Sequence, residues 1–229
     1  MGFVRSLFSV FQDKRELLDP ARFEDELASR IDWIPLVRGG NIFCTHRARL
    51  RTGLTTSILV FEVTHLLVVI CGLVGVAGIV VCGVLLIERS TSDQFPVVMM
   101  LSPLVLVGLA VWMFWRARSN QIQFDRSAQQ FTQRGCQFPL SDVHALQLLR
   151  ERVRGSEDSY FSYELNLVFR DGHRRNVTDH GALKAIRDDA QMLAEYLQVP
   201  LWDAIDFRLP DHLQKPNLKL DLLRNNLGF

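Results

Sequence analysis

The chain contains two long apolar stretches: "LLVVICGLVGVAGIVVCGVLLI" at residues 66–87 and "PVVMMLSPLVLVGLAVWMFW" at residues 96–115. The first contains no charged side chain, and at about 1.5 Å per residue it makes about 33 Å of helix, which spans one bilayer core. Only residues 88–95 separate the two stretches. The sequence therefore predicts an antiparallel hairpin of two transmembrane helices within residues 57–116.

The flanking charges predict the orientation of this hairpin. Arg47, Arg49 and Arg51 precede the first stretch, and Arg116 and Arg118 follow the second. The connection carries Arg89 among its acidic neighbours. Because basic residues favour the cytoplasmic side of a membrane, we expect an inner (plasma) membrane protein with two spans and both termini in the cytoplasm.

Glu62 and His65 lie just before the first stretch. Ionisable groups inside a bilayer are costly and often functional, so one hypothesis is a buried proton or ion site in a transport or channel subunit. A helix that starts near Leu66 instead places both residues in the headgroup zone, where their spacing allows a pair on one helix face. This register favours a polar pair at the membrane interface.

The first stretch also carries a strip of glycines, Gly72, Gly75 and Gly78. Small residues allow close approach of a second helix in a membrane. Two partners for this strip remain open, namely the second span of the same hairpin and a helix of another subunit.

Residues 1–56 are predicted to form a cytoplasmic N-terminal arm. Phe3, Leu7, Val10 and Phe11 have near-helical spacing, which indicates an amphipathic helix. The segment "DPARFEDELASRI" at residues 19–31 predicts a second, acidic helix, followed by an ordered loop that leads to the membrane.

Residues 117–203 have the pattern of an α+β domain. The segment "QIQFDRSAQQFTQR" at residues 121–134 predicts a β-hairpin, and another strand is expected after Pro139. The alternating residues 163–169 predict a strand that ends in a type I′ turn at Asp171–Gly172. A helix should follow with Asp179 as its N-cap, so the domain is predicted to be an antiparallel sheet or barrel closed by a C-terminal helix.

Short motifs in this region resemble a known family. They are "IQFD" at residues 122–125, "PLSDV" at 139–143, "YELNLVFRDG" at 163–172 and "YLQVPL" at 196–201. Together with the membrane hairpin, they resemble bacterial membrane-anchored proteins with pleckstrin-homology-like (PH-like) domains. The resemblance implies an antiparallel PH-like fold and a role in binding or assembly.

Five arginines mark a possible binding surface: Arg150, Arg152 and Arg154 on one predicted strand, and Arg174 and Arg175 on another. Such residues occur on solvated strand faces, and they also bind anionic headgroups or acidic protein segments. Both readings remain open.

The composition limits the function classes. The formal net charge is +1, so no nucleic-acid partner is expected. The six histidines and four cysteines show no motif for catalysis, metal binding or a cofactor. We therefore expect no enzymatic activity. The expected role is that of an inner-membrane scaffold or regulatory subunit that contacts membrane lipids and other proteins. We also expect the chain to form an oligomer or to be a subunit of a complex. The alternatives are a module that senses a lipid or ligand, and a small transport subunit. The leucine-rich tail, residues 204–229, either contacts an assembly partner or packs on its own domain.

Overall fold

The computed structural model describes residues 15–37, 39–53, 57–91, 101–119, 121–154 and 159–210. In chain order the elements are a 3₁₀ turn at Pro20–Phe23, α1 Glu26–Arg30, β1 His46–Thr52, β2 Ser57–Val63, α2 His65–Thr91, α3 Leu101–Ser119, β3 Ile122–Asp125, β4 Gln130–Gln133, β5 Cys136–Pro139, a 3₁₀ turn at Leu140–Asp142, β6 Val143–Arg154, β7 Ser159–Phe169, β8 Arg174–His180, α4 Leu183–Leu197 and β9 Leu201–Asp203.

The chain forms two compact units. The hairpin unit is Cys44–Leu140, and the terminal unit combines Met1–Phe43 with Ser141–Phe229. The predicted domain boundaries at residues 56 and 116 both fall inside the hairpin unit. β1 lies before residue 56, β2 lies between the two positions and β3 lies after residue 116, and these three strands belong to a single sheet. The predicted helix around residues 3–11 and most of the predicted tail, residues 211–229, lie outside the described part of the chain.

In the hairpin unit, α2 and α3 are long and apolar enough to cross a membrane. Their large apolar side chains point outward, and Ile79 and Val105 for example are 65% and 66% exposed. Such surfaces are costly in water and favourable in lipid. The prediction of two apolar helices of membrane length at residues 66–87 and 96–115 agrees with these elements over the residues described.

The hairpin continues directly into a sheet with the order β1–β2–β3–β4–β5, and every neighbouring pair in it is antiparallel. Only Thr64 lies between β2 and α2. Its N–H donates to the Thr45 carbonyl at 2.9 Å and its Oγ1 to the Cys44 carbonyl at 2.8 Å. The hydrogen bonds of Thr64 therefore tie the start of α2 to the residues that lead into β1.

Two predictions for this region are wrong. The expected loop before the membrane contains β1, and residues 57–63 of the expected hairpin are the strand β2. The two strands pair in full register, from His46 opposite Val63 to Thr52 opposite Ser57. The short apolar run "SILVFEV" fits a strand or a helix equally well, and the pairing with β1 decides for the strand.

One face of the five-stranded sheet carries a row of phenylalanines. The rings of Phe61, Phe124, Phe131 and Phe138 follow one another from β2 to β5, with centroids 6.2, 5.6 and 5.1 Å apart. Phe61, Phe124 and Phe131 are at most 1% exposed. The predicted β-hairpin of residues 121–134 is confirmed as β3 and β4, with Phe124 opposite Phe131.

The terminal unit contains a sheet with the order β8–β7–β6–β9. β6, β7 and β8 are antiparallel, whereas β9 joins β6 in parallel. The strands predicted as one domain at residues 117–203 are therefore divided between two sheets, and the described residues form no closed barrel. α4 packs on β6, β7, β8 and β9 through an apolar stripe, of which Ile186, Ala190 and Leu193 are fully buried.

The ends of β8 differ from the predictions. Asp179 is not the N-cap of α4, because β8 continues to His180 and the cap position is Ala182. The Asp171–Gly172 turn is not type I′, which needs positive φ at both central residues. Of these two only Gly172 has positive φ, at 84°. The Phe169 N–H donates to the His173 carbonyl at 2.8 Å and closes a three-residue loop instead.

The acidic helix predicted at residues 19–31 is interrupted. Glu24 adopts a left-handed conformation with φ of 52°, which ends the 3₁₀ turn before α1 begins. Asp19 and Asp25 cap the two short elements, accepting from Ala21 N–H at 3.0 Å and Leu27 N–H at 2.9 Å. Two aspartates therefore start two separate turns where periodicity alone indicated one helix.

Candidate functional site

The structure separates Glu62 from His65. Glu62 lies on β2 and forms an ion pair with Arg51, whereas His65 is the first residue of α2. The His65 Nε2 instead faces the Arg49 Nη2 at 3.5 Å. The pair expected on one helix face is therefore replaced by two contacts with β1, because the helix starts only after Thr64.

The glycine strip divides between two environments. A Cβ added at Gly78 would lie 2.9 Å from Val107 Cγ2 and 3.1 Å from the Pro103 carbonyl oxygen, so Gly78 is packed against α3. A Cβ at Gly75 would lie at an ordinary distance from Ala110. Among the residues that the structure describes, a Cβ at Gly72 would meet nothing within 4 Å. Of the two alternatives, contact within the hairpin therefore holds at Gly78 and Gly75, and the described residues give Gly72 no such contact.

The five predicted arginines do not form one patch. Arg174 donates to the Ile34 carbonyl and to Gln147 Oε1, both at 2.9 Å, and so serves the interior of the terminal unit. Arg175 follows on the opposite face of β8, since successive strand residues alternate. The side chain of Arg154 lies outside the described residues. Of the five predicted arginines, Arg150 and Arg152 are the two that the described structure brings together.

Arg150 and Arg152 border an open cleft of about 430 Å³ in the terminal unit. The cleft also contains Arg15 and Arg208, with Trp33, Leu149 and Phe207 among the apolar lining. We call it the arginine cleft and define it by these seven residues: Arg15, Trp33, Leu149, Arg150, Arg152, Phe207 and Arg208.

Local contacts hold the guanidinium groups of the arginine cleft. Arg15 Nη1 donates to the carbonyls of Ile205 at 3.0 Å and Phe207 at 2.7 Å. Arg150 lies over the Phe161 ring with 3.5 Å from Cζ to the centroid. Arg152 donates to Ser159 Oγ at 3.0 and 3.2 Å. Guanidinium groups held beside aromatic walls can bind carboxylates or phosphates, so the chemistry of the cleft suits an anionic group.

A second polar arrangement lies on one face of the four-stranded sheet, where residues 31–37 and 39–43 cross β6, β7 and β8. We call these residues the crossing segment. Three carboxylates bind its main chain: Glu164 accepts from Leu36 and Val37, Glu151 from Gly39, and Asp179 from Asn41. Gly40 lies so close to the sheet that a Cβ there would be 2.3 Å from Ser162 Oγ, which explains the glycine.

Glu164 is the most unusual of these carboxylates, because it is only 2% exposed. Burial raises its pKa above the ordinary value, although the N–H groups of Leu36 and Val37, the side chain of Asn166 and the charge of Arg174 all favour the ionised form. The desolvation of the charge therefore outweighs the bonds that stabilise it. Glu164 and Asn166 alternate along β7 with Leu165 and Leu167, and all four are buried, so both faces of β7 are buried here.

Asp25 connects α1 to β6. Its Oδ2 lies 2.6 Å from His144 Nε2, and its Oδ1 caps α1. Burial acts to raise the pKa of Asp25, but the hydrogen bond from His144 and those from the main chain outweigh it and lower the pKa. Trp33 and Trp202 pack together in the hydrophobic core of the terminal unit, with their ring centroids 6.2 Å apart.

Sequence reasoning missed Glu164, Gln147, Asp25 and Arg15. Their partners lie more than 100 residues away in the chain, as in the bond from Gln147 Nε2 to the Asp32 carbonyl at 3.0 Å.

Among the described residues, no three histidine, cysteine, aspartate or glutamate side chains are grouped to hold a metal ion. The chain matches no family model, no curated protein and no solved structure.

Proposed function

We propose that this chain is a non-catalytic membrane scaffold whose PH-like module binds other proteins. The observation that carries the proposal is the direct continuation of both apolar helices into neighbouring strands of one sheet. α2 follows β2 after Thr64 alone, and β3 follows α3 after two residues. Such short connections restrict the sheet to one orientation relative to the membrane, which suits a platform on which partners assemble.

The order of elements supports the PH-like part of the proposal. After the membrane hairpin, β3–β4–β5 and β6–β7–β8 are antiparallel runs, and α4 follows them. This is the order that the resemblance to PH-like membrane proteins implies. In this proposal the protein lies in the inner membrane, and both termini are cytoplasmic.

The arginine cleft is the proposed binding surface. The lining of the cleft contains four arginines and one acidic residue, Glu151, whose carboxylate accepts from the Gly39 N–H at 3.2 Å. Arginine and aromatic side chains contribute strongly to protein interfaces. The cleft therefore fits an acidic protein segment with an apolar or aromatic side chain for the wall formed by Trp33 and Phe207.

The test is co-purification of the full chain from its own membranes in mild detergent, with mass measurement of the complex. We expect a second protein in fixed stoichiometry, and we expect Arg152→Glu and Arg208→Glu each to reduce its recovery at least tenfold. Lys184→Glu reverses the same charge on the exposed surface of α4 and should keep the partner. A wild-type chain that purifies alone would overturn the proposal, as would equal recovery with all three variants.

A further inference from the structure

The topology of the hairpin unit determines which strand ends lie beside the membrane helices. β2 ends one residue before α2, and β3 begins soon after α3. Because neighbouring strands are antiparallel, the start of β1 and the turn between β4 and β5 lie at this same edge, which we call the hairpin edge. The turn at residues 126–129 lies at the opposite edge, about 13 Å away along β3.

The hairpin edge is rich in positive charge. Glu62, the acidic residue on this part of β2, is already paired with Arg51. Trp112 and Trp115 at the same end of α3 are 55% and 67% exposed, as expected for side chains in the headgroup layer. The basic side chains are Arg47 of β1, Arg116 and Arg118 of α3, and Arg134 of the β4–β5 turn. Arg49 lies at the middle of β1, opposite Val60, and its guanidinium group reaches this edge at His65.

At this edge, Arg49 and His65 lie next to each other, and each has N–H groups that can donate to a ligand. Both are exposed, and Arg49 Nη2 lies 3.5 Å from His65 Nε2. Because guanidinium groups only donate, we assign Nε2 as the acceptor in this contact and place the imidazole proton on Nδ1. In the part of the chain that the structure describes, neither side chain contacts a carboxylate. The remaining Arg49 N–H groups and the His65 Nδ1–H are therefore available to one anionic ligand.

We propose that the hairpin edge binds anionic phospholipid, with the headgroup phosphate held between Arg49 and His65. The position at the ends of two helices of membrane length favours a lipid over an acidic peptide, because lipid phosphates lie at this level of a bilayer. Arg116 and Arg118 extend the positive surface to a second headgroup. This proposal concerns a different surface from the arginine cleft and does not depend on a protein partner.

The test uses the delipidated full chain in a neutral detergent, titrated with phosphatidylglycerol or phosphatidylcholine and followed by native mass spectrometry. We expect phosphatidylglycerol to bind at least fivefold more tightly than phosphatidylcholine. Arg49→Gln and Arg116→Gln should each weaken phosphatidylglycerol binding about fivefold, the factor expected for one basic residue near an anionic surface. His65→Ala should also weaken it, and no variant should change phosphatidylcholine binding.

Arg126→Gln provides the matched control, because it removes the same charge at the opposite edge of the sheet. It should leave lipid binding unchanged. Equal binding of the two lipids by the wild-type chain would overturn the proposal, and so would an equal loss in Arg126→Gln and Arg49→Gln. Displacement of the lipid by excess glycerol 3-phosphate would also overturn it, since the site would then be one for soluble phosphates.

Discussion

The Glu164 carboxylate binds the Val37 main-chain N–H at 2.7 Å while its side chain is almost completely removed from solvent. A strand carboxylate therefore fixes the crossing segment to the sheet through the backbone, whatever side chain residue 37 carries. The same carboxylate accepts from the Leu36 N–H at 2.8 Å. The N–H groups of Leu36 and Val37 therefore bind the two oxygens of one carboxylate, and this arrangement requires a side chain with two acceptor oxygens.

Glu164→Gln should reduce the free energy of unfolding by about 1–3 kcal/mol, because the new amide NH₂ would face a main-chain N–H and leave a buried donor unpaired. Urea unfolding of the full chain in detergent, followed by the fluorescence of the buried Trp33 and Trp202, measures the change. Glu151→Gln is the control, since its contact with Gly39 is exposed, and it should change stability by less than about 0.5 kcal/mol.

The cost of Glu164→Gln should also depend on pH. Because burial raises the pKa of Glu164 in the folded protein, the unfolded chain releases this proton first, near its ordinary value of 4.5. Wild-type stability from this group is therefore complete below that pH and decreases as the pH rises towards the folded pKa. The difference between wild type and variant should narrow on going from pH 4.5 to neutrality. A difference that widens over this range would contradict the assignment.

Asp25→Asn should separate the helix cap from the contact with His144. Asparagine caps helices about as well as aspartate, so the change removes mainly the charge beside the His144 ring. We expect a loss of about 1 kcal/mol at neutral pH. Because the folded pKa of Asp25 is lowered, its contribution is complete above 3.8 and is lost as the pH falls through the folded pKa.

The same urea titrations at several pH values test this prediction. Asp19→Asn is the control, because Asp19 caps the exposed 3₁₀ turn and makes no ion pair with any described residue. It should show less than half the loss at neutral pH. A cost for Asp25→Asn that stays constant from neutral pH to pH 3 would show that the charge of Asp25 does not contribute.

Local patterns predicted the elements whose partners are close in sequence. The apolar helices, the β3–β4 hairpin around Asp125 and the helix α4 all follow from residue spacing within about twenty positions. Contacts such as Glu164 with Val37, 127 residues apart, have no such local signal. The pairing of β1 with β2 was missed for a different reason. Its partners are close in sequence, from Thr52 opposite Ser57 to His46 opposite Val63, but basic residues at alternate positions of β1 also fit a charged loop.

Phe124→Ala should cost about 3–5 kcal/mol in the unfolding of the full chain, because it removes a fully buried ring from the centre of the phenylalanine row. Phe138→Ala is the matched control at the end of the row. Its ring is only partly buried, so less than half of that cost is expected. Equal costs at the two positions would mean that the row is not the core of the five-stranded sheet.

Gly78→Ala should destabilise the chain, whereas Gly72→Ala should not. Alanine favours a helix over glycine by up to about 1 kcal/mol, so Gly72→Ala, with open space around it, should raise the thermal midpoint of the full chain in detergent or leave it unchanged. At Gly78 the new methyl would meet the Pro103 carbonyl oxygen at 3.1 Å, and backbone cannot move aside cheaply. We expect a loss of about 1–3 kcal/mol there.

The thermal midpoints of Gly78→Ala and Gly72→Ala together show whether the glycine strip contacts α3 or a second chain. If α3 is the partner of Gly78, only Gly78→Ala lowers the midpoint, and it does so equally at high and low protein concentration, because the contact lies within one chain. A loss at Gly72 that grows on dilution would instead show that the open glycine contacts a second chain. In that case the mass of the protein–detergent complex, measured on the same samples, should also decrease on dilution, together with the thermal midpoint.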